Sequence, residues 1–196
     1  MSNTSMSETK LMALREAVNL AMSEEMRKDP DIFLMGEDVG IYGGDFGTSV
    51  GMLAEFGEKR VKDTPISEAA IAGAAVGAAI TGLRPIVDLT FMDFITIALD
   101  AIVNNGAKNN YMFGGGLKTP VTFRVASGSG IGSAAQHSQS LESWLTHIPG
   151  IKVVAPGNAN DAKGLLKSSI SGQITLLSSW NQKLIYGQKR RSYTRS

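Results

Sequence analysis

Ser67-Glu68-Ala69-Ala70-Ile71-Ala72-Gly73-Ala74-Ala75-Val76-Gly77 leads, through Gly82-Leu-Arg-Pro-Ile86, into Ile86-Val-Asp-Leu-Thr90, and the change of period between these stretches decides the fold. The first is almost all small side chains and reads as a helix that another helix can approach closely. Gly82 and Pro85 break it, and the short run that follows is of strand length and bounded by turn signals. Upstream, Leu11, Leu14, Val18, Ala21, Met22 and Met26 recur at helical spacing, with Thr9 as the candidate cap and Asp29-Pro30 as the stop. Ile32–Met35 then reads as a buried strand closed by Gly36. Residues 39–49 form a glycine-rich loop, followed by a short helix near 50–56 and a strand near 60–64.

Downstream, a long helix is expected from about Asp93 to Lys108, a break at Gly114–Gly116, and a strand at Val121–Val125. After the 127–136 loop come a helix near 138–146, a strand at Lys152–Ala155 and a helix from about Asn160 to Ile170. Strand and helix alternate throughout, which predicts the α/β class: a parallel sheet with helices on both faces. The expected organisation is a polar segment over 1–9, one domain over 10–177, and a basic, irregular tail over 178–196. Asp161 is the last acid, whereas Lys183, Lys189, Arg190, Arg191 and Arg195 crowd the end.

Composition narrows the function classes. A chain of 196 residues has enough material for one sizeable core. A net charge of +1 gives no reason to expect nucleic acid or an anionic membrane as partner. The absence of cysteine excludes disulfides and thiolate chemistry and suits a reducing interior. The uncharged stretch Ala69–Leu83 has 15 residues, too few to span a bilayer, and Met1–Lys10 lacks a signal peptide's apolar run. A soluble, cytoplasmic protein is the expectation.

The chemistry-bearing residues share a location. Glu37 follows the strand at 32–35, and Glu68 follows the one at 60–64. Phe91 and Phe94 follow 86–90, and His137 comes after 121–125 through the long loop. Ligands of open parallel sheets bind at the carboxyl ends of strands, so four of five expected strands deliver a candidate to that edge. Each residue also has a plain explanation. An acid in the first turn is favoured by the helix dipole, phenylalanines are usual core, and His147 beside Ile148-Pro149-Gly150 reads as structural. The functional alternatives are a buried acid bonding a ligand's ring nitrogen, an aromatic stacking surface, and an imidazole set for proton transfer or substrate binding. Other chemistries fail. Gly128-Ser-Gly130-Ile-Gly132-Ser133 ends in serine and has no acid about 20 residues on, so the dinucleotide fingerprint is absent. There is no Walker sequence, no metal-spaced histidine pair, and no Gly-Asp-Gly segment followed by asparagine that would hold magnesium and a diphosphate.

Gly36-Glu-Asp-Val-Gly40, Asp63-Thr-Pro-Ile-Ser-Glu68, Gly82-Leu-Arg-Pro-Ile86 and Gln136-His-Ser-Gln-Ser140 resemble the beta subunit of thiamine diphosphate-dependent 2-oxo acid dehydrogenase E1 components. Pro149-Gly-Ile-Lys-Val-Val-Ala-Pro156 and Asp161-Ala-Lys-Gly-Leu-Leu166 extend the likeness to about residues 10–170. Asp88-Leu-Thr-Phe-Met-Asp-Phe94 and Tyr111-Met-Phe-Gly-Gly115 look most like acetoin dehydrogenase, with pyruvate dehydrogenase next.

The resemblance implies a transketolase-like pyrimidine-binding domain. It matches Glu68 to the glutamate that bonds the aminopyrimidine of thiamine diphosphate and favours the tautomer that deprotonates the thiazolium. Phe94, with Phe91 beside it, matches the ring on which the pyrimidine stacks, and His137 matches a histidine on the substrate side. Glu37 matches an acid near the cofactor thought to couple paired active sites. The resemblance further implies an E1 alpha subunit holding the diphosphate and magnesium, a second beta subunit in a heterotetramer, a lipoyl-bearing E2 partner and a small-molecule substrate.

Two departures stand out. Relatives continue into a C-terminal domain that is expected to be absent here, and they place an acid near a potassium site where this chain has Ser171-Gly172. The alternative reading is accordingly a fragment that folds or dimerises without turnover.

Overall fold

The computed structural model describes residues 10–181 and 192–193. In chain order the strands are β1 (Lys10–Leu11), β2 (Ile32–Gly36), β3 (Val61–Asp63), β4 (Arg84–Phe91), β5 (Thr122–Ser127), β6 (Lys152–Val154), β7 (Thr175–Asn181) and β8 (Ser192–Tyr193). The helices are α1 (Leu14–Lys28), α2 (Met52–Phe56), α3 (Glu68–Ile80), α4 (Ile95–Asp100), α5 (Asn109–Met112), α6 (Glu142–Thr146) and α7 (Ala159–Ser171). Six strands form one parallel sheet in the order β3-β2-β4-β5-β7-β6, while β1 and β8 pair separately and antiparallel.

Alternating side chains divide the sheet between two cores. Leu34 and Ile86 pack with Val18, Met22, Met26, Ala162 and Leu166 of α1 and α7. Phe33, Met35, Val87, Leu89 and Phe123 pack with Ile71, Ala75, Val76, Ile95 and Ala98 of α3 and α4. Both faces of the sheet are covered, which is the arrangement a parallel sheet needs and the α/β class expected. The small-residue helix behaves as its composition suggests: Ala72, Ala75 and Ala79 are buried, and Ala70, Gly73, Ala74 and Gly77 lie exposed on its other side.

Four local expectations need correction. The first helix begins at Leu14, not near Thr9, which lies outside the described residues; Glu16 Oε2 accepts from the Ala13 N–H at 2.9 Å at this end. The long helix splits into a 3-10 turn at Met92–Phe94, α4, a π-helical stretch at Ala101–Ala107, and α5. At Gly106 a Cβ would lie 2.5 Å from Ile174 Cδ1, so a side chain there would require the end of Ile174, just before β7, to shift. The helix expected near 138–146 is only Glu142–Thr146, with His137 in a preceding 3-10 turn at Ala135–His137. Finally, β7 inserts between β5 and β6, so regular structure runs to Asn181 and the irregular tail does not begin at 178. The basic residues named for that tail lie outside the described ones.

Candidate functional site

β3, β2, β4 and β5 are consecutive in the sheet, and the chain leaving each one carries a residue nominated from sequence. In spatial order these are Glu68, Glu37, the Phe91–Phe94 pair and His137. The backbone here is unusual. Among the described residues, positive φ outside glycine occurs at Asp38 (54°), Thr90 (58°) and Ala134 (65°), each in a segment that delivers one of these side chains. Such conformations are uncommon for residues with a Cβ and cluster where a fold re-aims its functional groups. At Thr90 the cause is visible. The register with β5 shifts between Asp88 and Phe91, and Asp88 Oδ1 accepts from the Thr90 N–H at 3.0 Å. This bulge turns Phe91 into the end of the strand.

The acidic part of the site lies at β2 and α3. Glu68 opens α3 and is only 5% exposed. Its carboxylate makes no hydrogen bond or ion pair among the described residues. Beside it, Glu37 Oε1 accepts from the Ser67 N–H at 3.3 Å. Burial raises the Glu37 pKa above the ordinary carboxylate value, the Glu68 charge adds to the shift, and the Ser67 hydrogen bond opposes it.

The aromatic part is built at the ends of β4 and β5. The His137 ring lies 4.5 Å from that of Phe91 and 5.3 Å from that of Phe94, edge-on to both, and the two phenyl rings are 5.7 Å apart. Phe46, from the glycine-rich loop, joins Phe91 edge-on at 5.3 Å. The structure thus unites Phe91, Phe94 and His137 in direct contact, and Glu37 with Glu68 in electrostatic contact. The two groups sit on neighbouring strand ends rather than touching each other.

Several residues that shape this edge were passed over in the sequence. Phe46 was noticed only as part of a loop. Asp45 next to it feels both groups: desolvation raises its pKa although solvent reaches it, Asp88 and Asp38 add to the rise, and His137 opposes it. Beneath the loop, Arg124 Nη2 bonds the buried Asp88 carboxylate and donates to Thr48 Oγ1 at 2.7 Å. The loop is further fixed by Ser49 Oγ donating to the Val39 carbonyl at 2.7 Å and by the Gly40 N–H donating to Asp63 Oδ1 at 2.6 Å. Charged residues at the strand positions Asp88 and Arg124 were the available signal, because strands buried on both faces seldom carry them unpaired. Among the described residues no group of three or more His, Asp or Glu is arranged to hold a metal ion. No helix among them is long and apolar enough to cross a membrane.

In chemical terms this edge offers a mostly buried carboxylate, aromatic faces and an imidazole, a combination that suits a flat heterocycle.

Comparison with known proteins adds three findings. Residues 10–180 match the family described as "Transketolase, pyrimidine binding domain". The chain is 49% identical over 177 residues to the pyruvate dehydrogenase E1 component subunit beta of Rhizobium meliloti, covering 90% of this chain and 38% of the relative. It is 47% identical to the mitochondrial counterpart of Saccharomyces cerevisiae, covering 93% and 50%, and 45% identical to that of Homo sapiens, covering 90% and 49%. The chain therefore spans about half the length or less of these relatives. Among solved structures, a transketolase of Pichia stipitis in complex with sedoheptulose 7-phosphate superposes with a TM-score of 0.69 at 16% identity. It covers all of this chain and 27% of that one, a likeness of fold. A split-gene transketolase described as an inactive beta4 tetramer gives 0.67 at 22% identity, covering 87% and 52%.

Proposed function

This chain belongs to the transketolase pyrimidine-binding domain family, and from that footing we propose that it is the pyrimidine-binding part of an E1 beta subunit in a thiamine diphosphate-dependent dehydrogenase. The observation that carries the reading is Glu68. It lies 5% exposed in the first turn of α3, beside Glu37, with its carboxylate placed to bond a ligand's ring nitrogen. The aminopyrimidine of thiamine diphosphate has the ring nitrogen that this oxygen needs, and the adjoining phenyl rings supply an apolar wall for its face.

Thiamine diphosphate, when bound, supplies an acidic thiazolium carbon whose deprotonation starts cleavage next to a carbonyl. This chain's residues serve that chemistry. Glu68 would bond the ring nitrogen through a carboxylate oxygen and so favour one tautomer of the aminopyrimidine. Phe94 and Phe91 orient the ring and exclude water from it. His137, edge-on to both, moves a proton on the substrate side or aids acyl transfer. Glu37, whose pKa is raised by burial and by the Glu68 charge, stands beside Glu68 at the same edge.

The diphosphate and its magnesium are assigned to an E1 alpha subunit. The assembly proposed is two alpha and two beta subunits delivering an acyl group to a lipoyl-bearing E2 in the cytoplasm. The substrate is acetoin or pyruvate: Asp88–Phe94 favours the former, and the relatives quoted above carry the latter in their names.

The test is reconstitution with the alpha subunit, followed by thiamine diphosphate affinity and exchange of the cofactor's thiazolium proton. Glu68→Gln is expected to preserve assembly and slow exchange at least about a hundredfold, the scale of a lost general acid–base contact. Unchanged exchange would overturn the role. Affinity without turnover by the wild-type chain would favour the non-catalytic alternative.

A further inference from the structure

Asp93 lies in the 3-10 turn between the two phenyl rings of the site and is 6% exposed. Gln139 Nε2 donates to its Oδ1 at 2.7 Å, whereas Oδ2 is buried without a hydrogen-bond partner. An acid held that deeply with one oxygen unsatisfied is expensive, and an amide or apolar residue would fill the same space at lower cost. Packing alone does not account for it.

The other end of the bond does. Gln139 stands just past His137, and its backbone carbonyl accepts from the Gly128 N–H at 2.9 Å, next to the end of β5. Within the intervening turn Ser138 Oγ donates to the Ala134 carbonyl at 2.7 Å, and Ala134 sits at φ 65°. The Gly128 bond fixes this turn to the β5 side of the site. The Asp93–Gln139 bond adds a side-chain tether from the β4 side. Asp93 also belongs to the turn that carries Phe94, so one bond links both surfaces that meet at His137.

We infer that Asp93 is a positioning residue which, through Gln139, holds His137 edge-on against Phe91 and Phe94. Its functional meaning rests on the proposed role of His137, but the geometry is testable apart from it. The full chain has two histidines, so carbon-13 labelling gives two imidazole signals, and His147→Gln assigns them. In the wild type, ring currents from both phenyl groups displace the His137 signal from the position of a free imidazole. Gln139→Ala, at an exposed position, is expected to abolish most of that displacement while the thermal transition stays within a few degrees. Asp93→Leu does the same, and Asp93→Asn, which keeps an acceptor oxygen, restores it.

With the alpha subunit present, Gln139→Ala should slow turnover roughly tenfold and leave thiamine diphosphate affinity within about twofold, as expected for a misplaced group. An unchanged His137 signal in Gln139→Ala overturns the inference, whether or not Asp93→Leu folds. A lost signal in a chain whose wild type binds no thiamine diphosphate supports the positioning and overturns the proposed function instead.

Discussion

Asp88 and Arg124 form an ion pair inside the sheet, at directly paired positions of β4 and β5. Both are almost fully buried, and the same guanidinium holds Thr48 in the glycine-rich loop. The pair therefore joins the floor of the sheet to the segment that brings Phe46 against Phe91.

Breaking this pair is costly because the surviving charge stays buried and uncompensated. Asp88→Leu or Arg124→Leu alone should destabilise the chain by about 3–5 kcal/mol, whereas the double replacement recovers most of the loss. Urea denaturation of the three variants checks this. Additive losses in the double variant would show that the two side chains act independently.

Gly36 tests how closely β2 and β4 must approach below Glu37. A Cβ there would lie 2.5 Å from the Asp88 carbonyl oxygen and 3.0 Å from Asp88 Cβ, and neither atom is free to swing away. Gly36→Ala is expected to cost about 1–3 kcal/mol of stability, the range for overpacking. It should also weaken thiamine diphosphate binding in the reconstituted complex, because Glu37 leaves the strand at the next residue. A stable variant with wild-type affinity would show that the strands can part at this point.

Much of this edge was legible in the sequence because its residues sit where the period changes. Glu68 begins a helix, Phe91 ends a strand, and both boundaries show in the pattern of small and β-branched residues. The strand Thr175–Asn181 was not legible. It lies between β5 and β6 in space but after α7 in sequence, and its leucines give way to Ser178 and Ser179 in a segment that resembles a polar tail. The loop at 39–49 showed its freedom but not its cargo, since the contact of Phe46 with Phe91 depends on where Thr48 is held. The Asp93–Gln139 bond joins two residues 46 apart, a pairing that only the folded chain reveals.

Glu37 should leave a pH signature. Burial raises its folded pKa, and the Glu68 charge adds to the shift. A carboxyl with a raised pKa binds its proton more tightly in the folded state. Its favourable contribution is complete below the unfolded value of about 4.3 and is lost as pH rises through the folded value. Glu37→Gln keeps an oxygen to accept from Ser67 and removes the charge. The variant should therefore melt a few degrees above the wild type at pH 7, with the gain vanishing below about pH 4. A gain that persists at acid pH would assign the effect to something other than ionisation.

Glu68 offers the sharpest contrast between stability and function. In the chain alone Glu68 is 5% exposed and close enough to Glu37 to raise that residue's pKa. Opposing this, an acid in the first turn of α3 gains about 0.3–1 kcal/mol from the helix dipole. Repulsion between the Glu68 and Glu37 carboxylates, which contributes to the raised Glu37 pKa, opposes that gain. Glu68→Gln relieves that repulsion and should leave the melting temperature of the isolated chain equal to or slightly above the wild type at pH 7. The same change should remove the added stability that saturating thiamine diphosphate gives to the complex with the alpha subunit, because ligand stabilisation follows affinity. If the variant is both less stable alone and equally stabilised by the cofactor, Glu68 is a helix-capping acid and the ring nitrogen finds its partner elsewhere.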